Sequence, residues 1–205
     1  MLLAIDTSAG TSVAVVDRDA GVLAEINEAD TRRHAEVIGT MISTALREAG
    51  VAVADLSGVA VGMGPGPFTG LRVGIAAARA FAWGAGKPVV PVVSHDAVAF
   101  GATEPLLVVT DARRREVYWS AYSGTDEQGL PVRVSGPGLA PPDALGEVVP
   151  GYDGYRRFDA AEVSAASLGL VAELLYLHRR PFAGSEALYL RSPDVTLSSG
   201  PKRVS

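Results

Sequence analysis

The sequence contains no cysteine among its 205 residues, which excludes disulfide bonds and thiolate metal sites. It also contains no apolar run as long as the roughly 18–20 residues that cross a membrane. Its first residues, Met1-Leu2-Leu3-Ala4-Ile5-Asp6, lack the basic segment that begins a secretory signal. We therefore expect a cytoplasmic protein without a membrane partner.

Positive charge is also scarce, because 18 Lys and Arg stand against 23 Asp and Glu and the net charge is −5. This balance argues against a large, general nucleic-acid surface, which requires clustered cations. The one dense basic run is Arg113-Arg114-Arg115. Two interpretations stay open for this run: a solvated turn between strands, or a contact with a nucleic acid or an acidic partner.

Patterns of catalytic and metal-binding residues are absent as well. The three histidines, His34, His95 and His178, are far apart in the sequence, and the H-E-x-x-H metal pattern does not occur. The G-x-S-x-G turn of serine hydrolases is also missing. We therefore predict no catalytic residue and no metal site.

What the chain does contain is the alternation of apolar segments that is typical of an α/β protein. Its 48% hydrophobic residues suffice for one large domain or two small ones. The first half predicts the order β-β-β-α-β-α-β-α, with helices over residues 34–49 and 71–85.

The second half of the chain opens like the first. Leu2-Leu3-Ala4-Ile5-Asp6 and Leu106-Leu107-Val108-Val109-Thr110-Asp111 are both apolar strands that end in an aspartate and a turn. Two further strand segments follow each of them. We predict two lobes, residues 1–104 and a smaller lobe over residues 105–205, and no regular structure in the polar tail 198–205.

A glycine-rich loop, Gly62-Met63-Gly64-Pro65-Gly66-Pro67-Phe68-Thr69-Gly70, connects a predicted strand to the second helix. Gly64 and Gly66 permit a close backbone approach, and Thr69 stands where a helix cap is expected. This order is typical of anion sites, but neither G-x-x-x-x-G-K-[ST] nor G-x-G-x-x-G is present. Phosphate binding and a structural turn both stay open.

Asp6 and Asp111 occupy equivalent positions at the ends of two strands, and Thr7 and Ser8 follow the first of them. In a doubled α/β fold both carboxylates would point into a central cleft and hold Mg²⁺ with a nucleotide. The alternative is that each aspartate accepts a hydrogen bond from its own backbone two residues on and stabilises a turn.

Both predicted helices carry more apolar surface than one sheet covers. In the second helix, small residues recur along one side, at Gly70, Gly74 and the pair Ala77 and Ala78. Small residues allow another helix to approach closely, so a partner helix pair is one interpretation of this surface. Internal packing against the sheet is the other.

Four segments together resemble a known family. They are Met1-Leu2-Leu3-Ala4-Ile5-Asp6-Thr7-Ser8, Gly64-Pro65-Gly66-Pro67-Phe68-Thr69-Gly70-Leu71-Arg72-Val73-Gly74, Asp111-Ala112-Arg113-Arg114-Arg115-Glu116-Val117-Tyr118-Trp119 and Tyr189-Leu190-Arg191. In this order they resemble the bacterial TsaB family, also called YeaZ, over nearly the whole chain. One departure is Pro67, where the family usually carries Ser, and this change removes a hydroxyl from the loop.

The resemblance implies an α/β fold of the actin-like ATPase class, with two lobes built on mixed, RNase H-like sheets. It also implies a non-catalytic subunit that pairs with TsaD, is joined by TsaE, and forms a homodimer when alone. The complex transfers threonylcarbamoyl to N6 of adenosine 37 in tRNAs that read codons starting with A. No cofactor is then required by this subunit, because ATP, Mg²⁺ and the metal belong to its partners.

The resemblance and the residue patterns together define three candidate surfaces. The partner interface is expected on the two helices, at His34, Ile38, Met41, Ile42, Gly70, Val73, Gly74, Ala77, Ala78 and Phe81. The remnant of a nucleotide cleft is expected at Asp6, Thr7, Ser8, Gly64, Gly66, Thr69 and Asp111. The tRNA contact is expected at Arg113, Arg114 and Arg115.

Two other functions compete with the scaffold. The first is an ATP-dependent small-molecule kinase of the same superfold, with Asp6 and Asp111 on Mg²⁺; no clear adenosine motif supports it. The second is a peptidase that acts on its own partner, but the sequence offers neither a triad nor a metal set for it.

Overall fold

The computed structural model describes residues 1–191 and contains two mixed β-sheets with flanking helices. The predicted order β-β-β-α-β-α-β-α of the first half is confirmed. The strands are β1 (Leu2–Asp6), β2 (Thr11–Asp17), β3 (Gly21–Glu28), β4 (Gly58–Gly62), β5 (Val89–Val92), β6 (Leu106–Asp111), β7 (Val117–Thr125), β8 (Pro131–Ala140) and β9 (Arg156–Asp159). The α-helices are α1 (His34–Ala49), α2 (Phe68–Ala85), α3 (Ser94–Ala99), α4 (Leu145–Val148) and α5 (Ala165–Leu177).

The first sheet has the strand order β3-β2-β1-β4-β5 and is covered on both faces. Its first three strands form an antiparallel meander, and β4 and β5 are added in parallel. Leu3 and Ile5 of β1 point toward α1 and α2, whereas Leu2 and Ala4 point toward α5. Every residue of β1 is therefore buried, which is why its sequence is a continuous apolar run.

The second sheet repeats this topology with the strand order β8-β7-β6-β9. β6, β7 and β8 form an antiparallel meander and β9 pairs with β6 in parallel, as β4 pairs with β1. The predicted repeat of the opening unit is thus confirmed. The sequence analysis missed β9, because its four residues are all exposed and show no apolar alternation.

The second half of the chain also contributes to the first sheet. Helix α5 packs against that sheet, and α3 lies between α5 and the second sheet. Beyond α5, the amide of Ala183 donates to the carbonyl of Pro91, and the amide of Leu188 donates to that of Met63. A division between residues 104 and 105 therefore separates the two sheets but not the segments that pack on them.

Several local predictions are corrected by the structure. Helix α2 begins at Phe68 with Pro67 as its cap residue, so Thr69 is an exposed residue of the first turn and not the cap. Residues 186–191 pair with no strand. Ser164 caps α5, since its side chain accepts from the Ser167 amide. The polar tail 198–205 lies outside the described residues.

Within residues 1–191, none of the helices has both the length and the apolar character that crossing a membrane requires.

Candidate functional site

The buried carboxylate of Asp6 lies where β1 ends, and its hydrogen bonds are all to neighbours in the fold. Oδ1 accepts from the Ser8 amide at 2.7 Å and from the Ser8 hydroxyl at 2.5 Å, and Oδ2 accepts from the Ser94 hydroxyl at 2.6 Å. Burial raises the pKa of Asp6, and these hydrogen bonds oppose the rise. Since Asp6 is only 1% exposed, its carboxylate serves the fold and does not open into a cleft.

Asp111 takes the equivalent position at the end of β6 but is exposed. Its Oδ1 accepts from the Arg113 amide at 2.9 Å, and its Oδ2 lies 3.6 Å from Arg113 Nε. Both aspartates thus bond the backbone two residues on, which is the turn chemistry given above as the alternative. The prediction that both carboxylates face one cleft is wrong for Asp6. Among the described residues, no group of three or more His, Asp or Glu is arranged to hold a metal ion.

The glycine-rich loop and the start of α2 pack directly onto the turn between β1 and β2. An added Cβ at Gly66 would lie 2.8 Å from Ser8 Cα, and one at Gly70 would lie 2.5 Å from the Thr7 carbonyl oxygen. The Thr7 hydroxyl donates to the Gly70 carbonyl at 2.7 Å and accepts from the Gly74 amide at 3.1 Å. These glycines therefore let the turn approach the helix, which is internal packing and not a phosphate cradle.

Most of the predicted nucleotide-cleft residues lie together where the turn after β1 meets the start of α2. Their own atoms fill the space between them. The Gly64 amide donates to the Ser94 hydroxyl at 3.0 Å, and Gly64 is held at φ 96°. Thr69 and Asp111 stand apart, since both are exposed. A cavity of about 400 Å³ lies beside the contact. It is lined by Gly66, Pro67, Phe68, Thr69, Ala112, Arg113, Arg114, Tyr118, Tyr189 and Arg191.

The predicted basic run forms the turn between β6 and β7. Arg113, Arg114 and Arg115 are exposed and all have positive φ, at 63°, 54° and 63°. The Arg113 side chain donates to the hydroxyl of Thr31 at 2.5 Å. Arg113 and Arg114 line the cavity beside the glycine-rich loop, and Arg115 does not.

Many of the predicted interface residues are internal in the single chain. The buried ones are His34, Ile38, Met41, Ile42, Gly70, Gly74 and Ala78, and the half-buried ones are Val73, Ala77 and Phe81. The close approach of a partner helix predicted at Gly70 and Gly74 is corrected, because Thr7 occupies that side. Burial lowers the pKa of His34, whose Nδ1 lies 2.6 Å from the Thr11 hydroxyl.

The outward face of α1 and α2 consists largely of residues that were not predicted. On α1 it includes Gly39, Thr40 and Ser43, and on α2 it includes Ala76, Ala80, Trp83 and Gly84; all are exposed. We call these seven residues, with the half-buried Val73, Ala77 and Phe81, the outer face. Trp83 is 89% exposed. The sequence analysis left Trp83 out of the interface because periodicity alone does not tell which side of an apolar helix is covered.

One serine–histidine pair that the sequence did not predict is formed in the interior. His95 Nδ1 lies 2.8 Å from the Ser120 hydroxyl, and Nε2 lies 2.9 Å from the Thr110 hydroxyl. His95 and Ser120 are both 0% exposed. A nucleophile must reach its substrate, so this pair belongs to the core and gives the peptidase alternative no support.

Comparison with known proteins agrees with this fold. The family model described as "TsaD: tRNA N6-adenosine threonylcarbamoyltransferase" matches residues 13–131, more than half of the chain. The chain is 41% identical to an uncharacterized protein of Mycobacterium tuberculosis, over 95% of this chain and 93% of that protein. It is 40% identical to the "tRNA threonylcarbamoyladenosine biosynthesis protein TsaB" of Haemophilus influenzae, over 58% of this chain and 52% of that protein.

The structure of YeaZ from Pseudomonas aeruginosa is similar with a TM-score of 0.70 and 26% identity, over 93% of this chain and 99% of that one. Two mixed sheets that repeat one topology, with helices on their faces, define a protein of the actin-like ATPase class. Within the proteins that the TsaD model describes, the chain belongs to the TsaB/YeaZ family.

Proposed function

We propose that the chain is a non-catalytic subunit of the cytoplasmic complex that transfers threonylcarbamoyl to N6 of adenosine 37 in tRNAs reading codons that start with A. It binds TsaD as a heterodimer and helps to recruit TsaE. The names of its relatives in Haemophilus influenzae and Escherichia coli support a part in this modification. ATP, Mg²⁺ and the catalytic metal are then supplied by the partner subunits.

The observation that carries this proposal is the outer face, and above all Trp83. A tryptophan buries roughly 150–250 Å² when it is covered, which contributes about 4 kcal/mol or more before the costs of association. Here its ring is 89% exposed on a helix whose other side is fully packed. Such a side chain fits the centre of a protein interface better than a free surface.

Two glycines on the same face point to a helical partner. Gly39 lies inside α1, where glycine costs about 1 kcal/mol relative to alanine, and Gly84 lies in the last turn of α2. An added Cβ at either position would meet nothing within 4 Å, so neither glycine is required by packing within the chain. Glycines at these positions allow a partner helix to approach the backbone closely, and a bundle of two helix pairs is the geometry that we propose.

The same face is expected to form a homodimer when TsaD is absent. A face of this kind that pairs with a copy of itself makes a closed, isologous contact. The specific interface would bury about 800 Å² on each partner.

Size-exclusion chromatography with light scattering tests this proposal, using the chain mixed with TsaD of the same organism. We expect a heterodimer with the wild type and a complex weakened by at least about tenfold with Trp83→Asp. Tyr176→Asp is the matched control, because Tyr176 is 74% exposed on α5, on the opposite face of the first sheet. Equal complexes with both variants, or none with the wild type, would contradict the proposal.

The kinase alternative is less well supported. It requires the Asp6 carboxylate on a metal-bound nucleotide, but that carboxylate is buried and accepts three hydrogen bonds from Ser8 and Ser94.

A further inference from the structure

An open groove lined by arginine and aromatic side chains runs along the first half of α2. It combines the cavity beside the glycine-rich loop with a second cavity of about 440 Å³, and Tyr189 lines both. The second cavity is lined by Arg72, Ile75, Ala76, Arg79, Ser185, Glu186, Ala187 and Tyr189, and Ala76 is the residue that it shares with the outer face. We call the two cavities together the arginine groove.

The groove is positively charged although the whole chain is acidic. Arg72 and Arg79 are exposed, and within residues 1–191 no carboxylate oxygen lies within 4.0 Å of either guanidinium. Arg79 instead donates to the carbonyl of Ser185 at 2.6 Å. Glu186 is the one acidic residue among those that line the second cavity, and its carboxylate is more than 4.0 Å from both guanidinium groups. Arg113 and Arg191 are balanced by Asp111 and Glu116.

Aromatic rings lie between these cations. The Arg72 guanidinium is 3.7 Å from the centre of the Phe68 ring, and the Phe68 and Tyr189 rings are 4.9 Å apart. Phe68 is thus held between two neighbours, whereas Tyr189 is 40% exposed. A ring that is fixed by a neighbour and open to the groove is a platform on which a base can stack.

The length of the groove favours a strand over a single small anion. Arg72 and Arg79 are seven residues apart on α2, which is two turns and a rise of about 10 Å. A stacked strand carries one phosphate per roughly 3.4 Å, so the two arginines reach separate phosphates.

We propose that the arginine groove binds a single-stranded segment of RNA, with phosphates on Arg72 and Arg79 and a base on Tyr189. This inference rests on the proposed function, in which tRNA is the substrate of the complex. It extends the contact predicted at Arg113, Arg114 and Arg115 to residues of α2 and of the segment after α5. An acidic peptide would pair with the arginines but would not stack on the exposed Tyr189 ring.

Fluorescence anisotropy of a labelled uridine oligomer with the full chain tests the groove. We expect Arg72→Glu with Arg79→Glu to weaken binding by at least about tenfold. Arg18→Glu with Arg156→Glu changes the net charge equally, at exposed arginines outside the groove, and is expected to leave affinity within about twofold. Tyr189→Ala is expected to weaken binding about tenfold, and Tyr189→Phe to retain it.

Three outcomes would contradict RNA binding in the arginine groove. They are equal losses in the two double variants, competition by polyglutamate as strong as by unlabelled RNA, and saturation by a free nucleoside triphosphate at the same site. The complex with TsaD is measured separately with Tyr189→Ala, whose ring lies off the outer face. If the wild type forms the complex with TsaD but does not bind RNA, only the RNA-binding proposal is rejected. If the wild type forms no complex, the proposed function is rejected.

Discussion

His95 shows how a polar side chain is used to join elements of this fold. It lies on α3 and its two ring nitrogens meet hydroxyls on β7 and β6, those of Ser120 and Thr110. Burial lowers the pKa of His95 to about 3, and the positive charge of Arg133 adds to the effect. The neutral ring, with one donor and one acceptor, matches two hydroxyl partners.

This lowered pKa predicts a loss of stability in mild acid. The unfolded chain binds a proton at His95 near pH 6.5 and the folded chain does so only near pH 3, so the free energy of unfolding falls as the pH drops below 6.5. The contribution of His95 to this slope is about 1.4 kcal/mol per pH unit. Urea unfolding at a series of pH values should show a flatter dependence for His95→Gln. Equal slopes would contradict a neutral, buried His95.

At the scale of elements, the small residues of α2 serve two roles, internal packing and an open surface. Gly70 and Gly74 meet the turn between β1 and β2, while Gly84 of the same helix faces open space. Periodicity predicts that such residues lie on faces of the helix, but it does not tell what covers each face. The neighbour is set by tertiary packing, here by Thr7, 63 residues from Gly70 along the chain.

Alanine substitutions separate these two uses within one helix. Gly74→Ala should destabilise the chain by roughly 1–3 kcal/mol, because the new methyl group overlaps the Thr7 side chain. Gly84→Ala should stabilise it by about 0.5–1 kcal/mol, because nothing lies near the added atom and alanine is the better helix former. Thermal or urea unfolding of both variants measures the difference. A stabilising Gly74→Ala would show that the contact with Thr7 is not as close as described.

Other elements mark what the sequence could and could not predict. The three-strand units β1–β3 and β6–β8 were predicted, because buried strands with tight turns have strong apolar patterns. Strand β9 was missed, because an exposed edge strand needs no such pattern. The candidate site was predicted only in part. The sequence placed Asp6 at the end of its strand, but its hydrogen-bond partner Ser94 is 88 residues away along the chain, so the burial of Asp6 could not be predicted.

At the scale of the whole molecule, the outer face and the arginine groove lie on the same side of the first sheet. Helices α1 and α2 lie on one face of it and present the outer face, and α5 closes the opposite face. The arginine groove borders α2 where the glycine-rich loop meets the second sheet. A partner docked on the outer face would therefore lie next to an RNA strand in the groove. This arrangement suits a subunit that holds a substrate near a catalytic site on another chain.

The central claim is that the chain acts by assembly and contributes no reacting group, and a reconstituted modification reaction tests it. Threonylcarbamoyladenosine is measured in tRNA after incubation with TsaD, TsaE, the adenylate donor and each variant of the chain. We expect Asp111→Asn, which keeps the acceptor for the Arg113 amide, to support the wild-type rate within about twofold. We expect Trp83→Asp to lose at least about tenfold together with the complex. A large loss with Asp111→Asn while the complex persists would contradict the claim and indicate that the chain takes part in the chemistry.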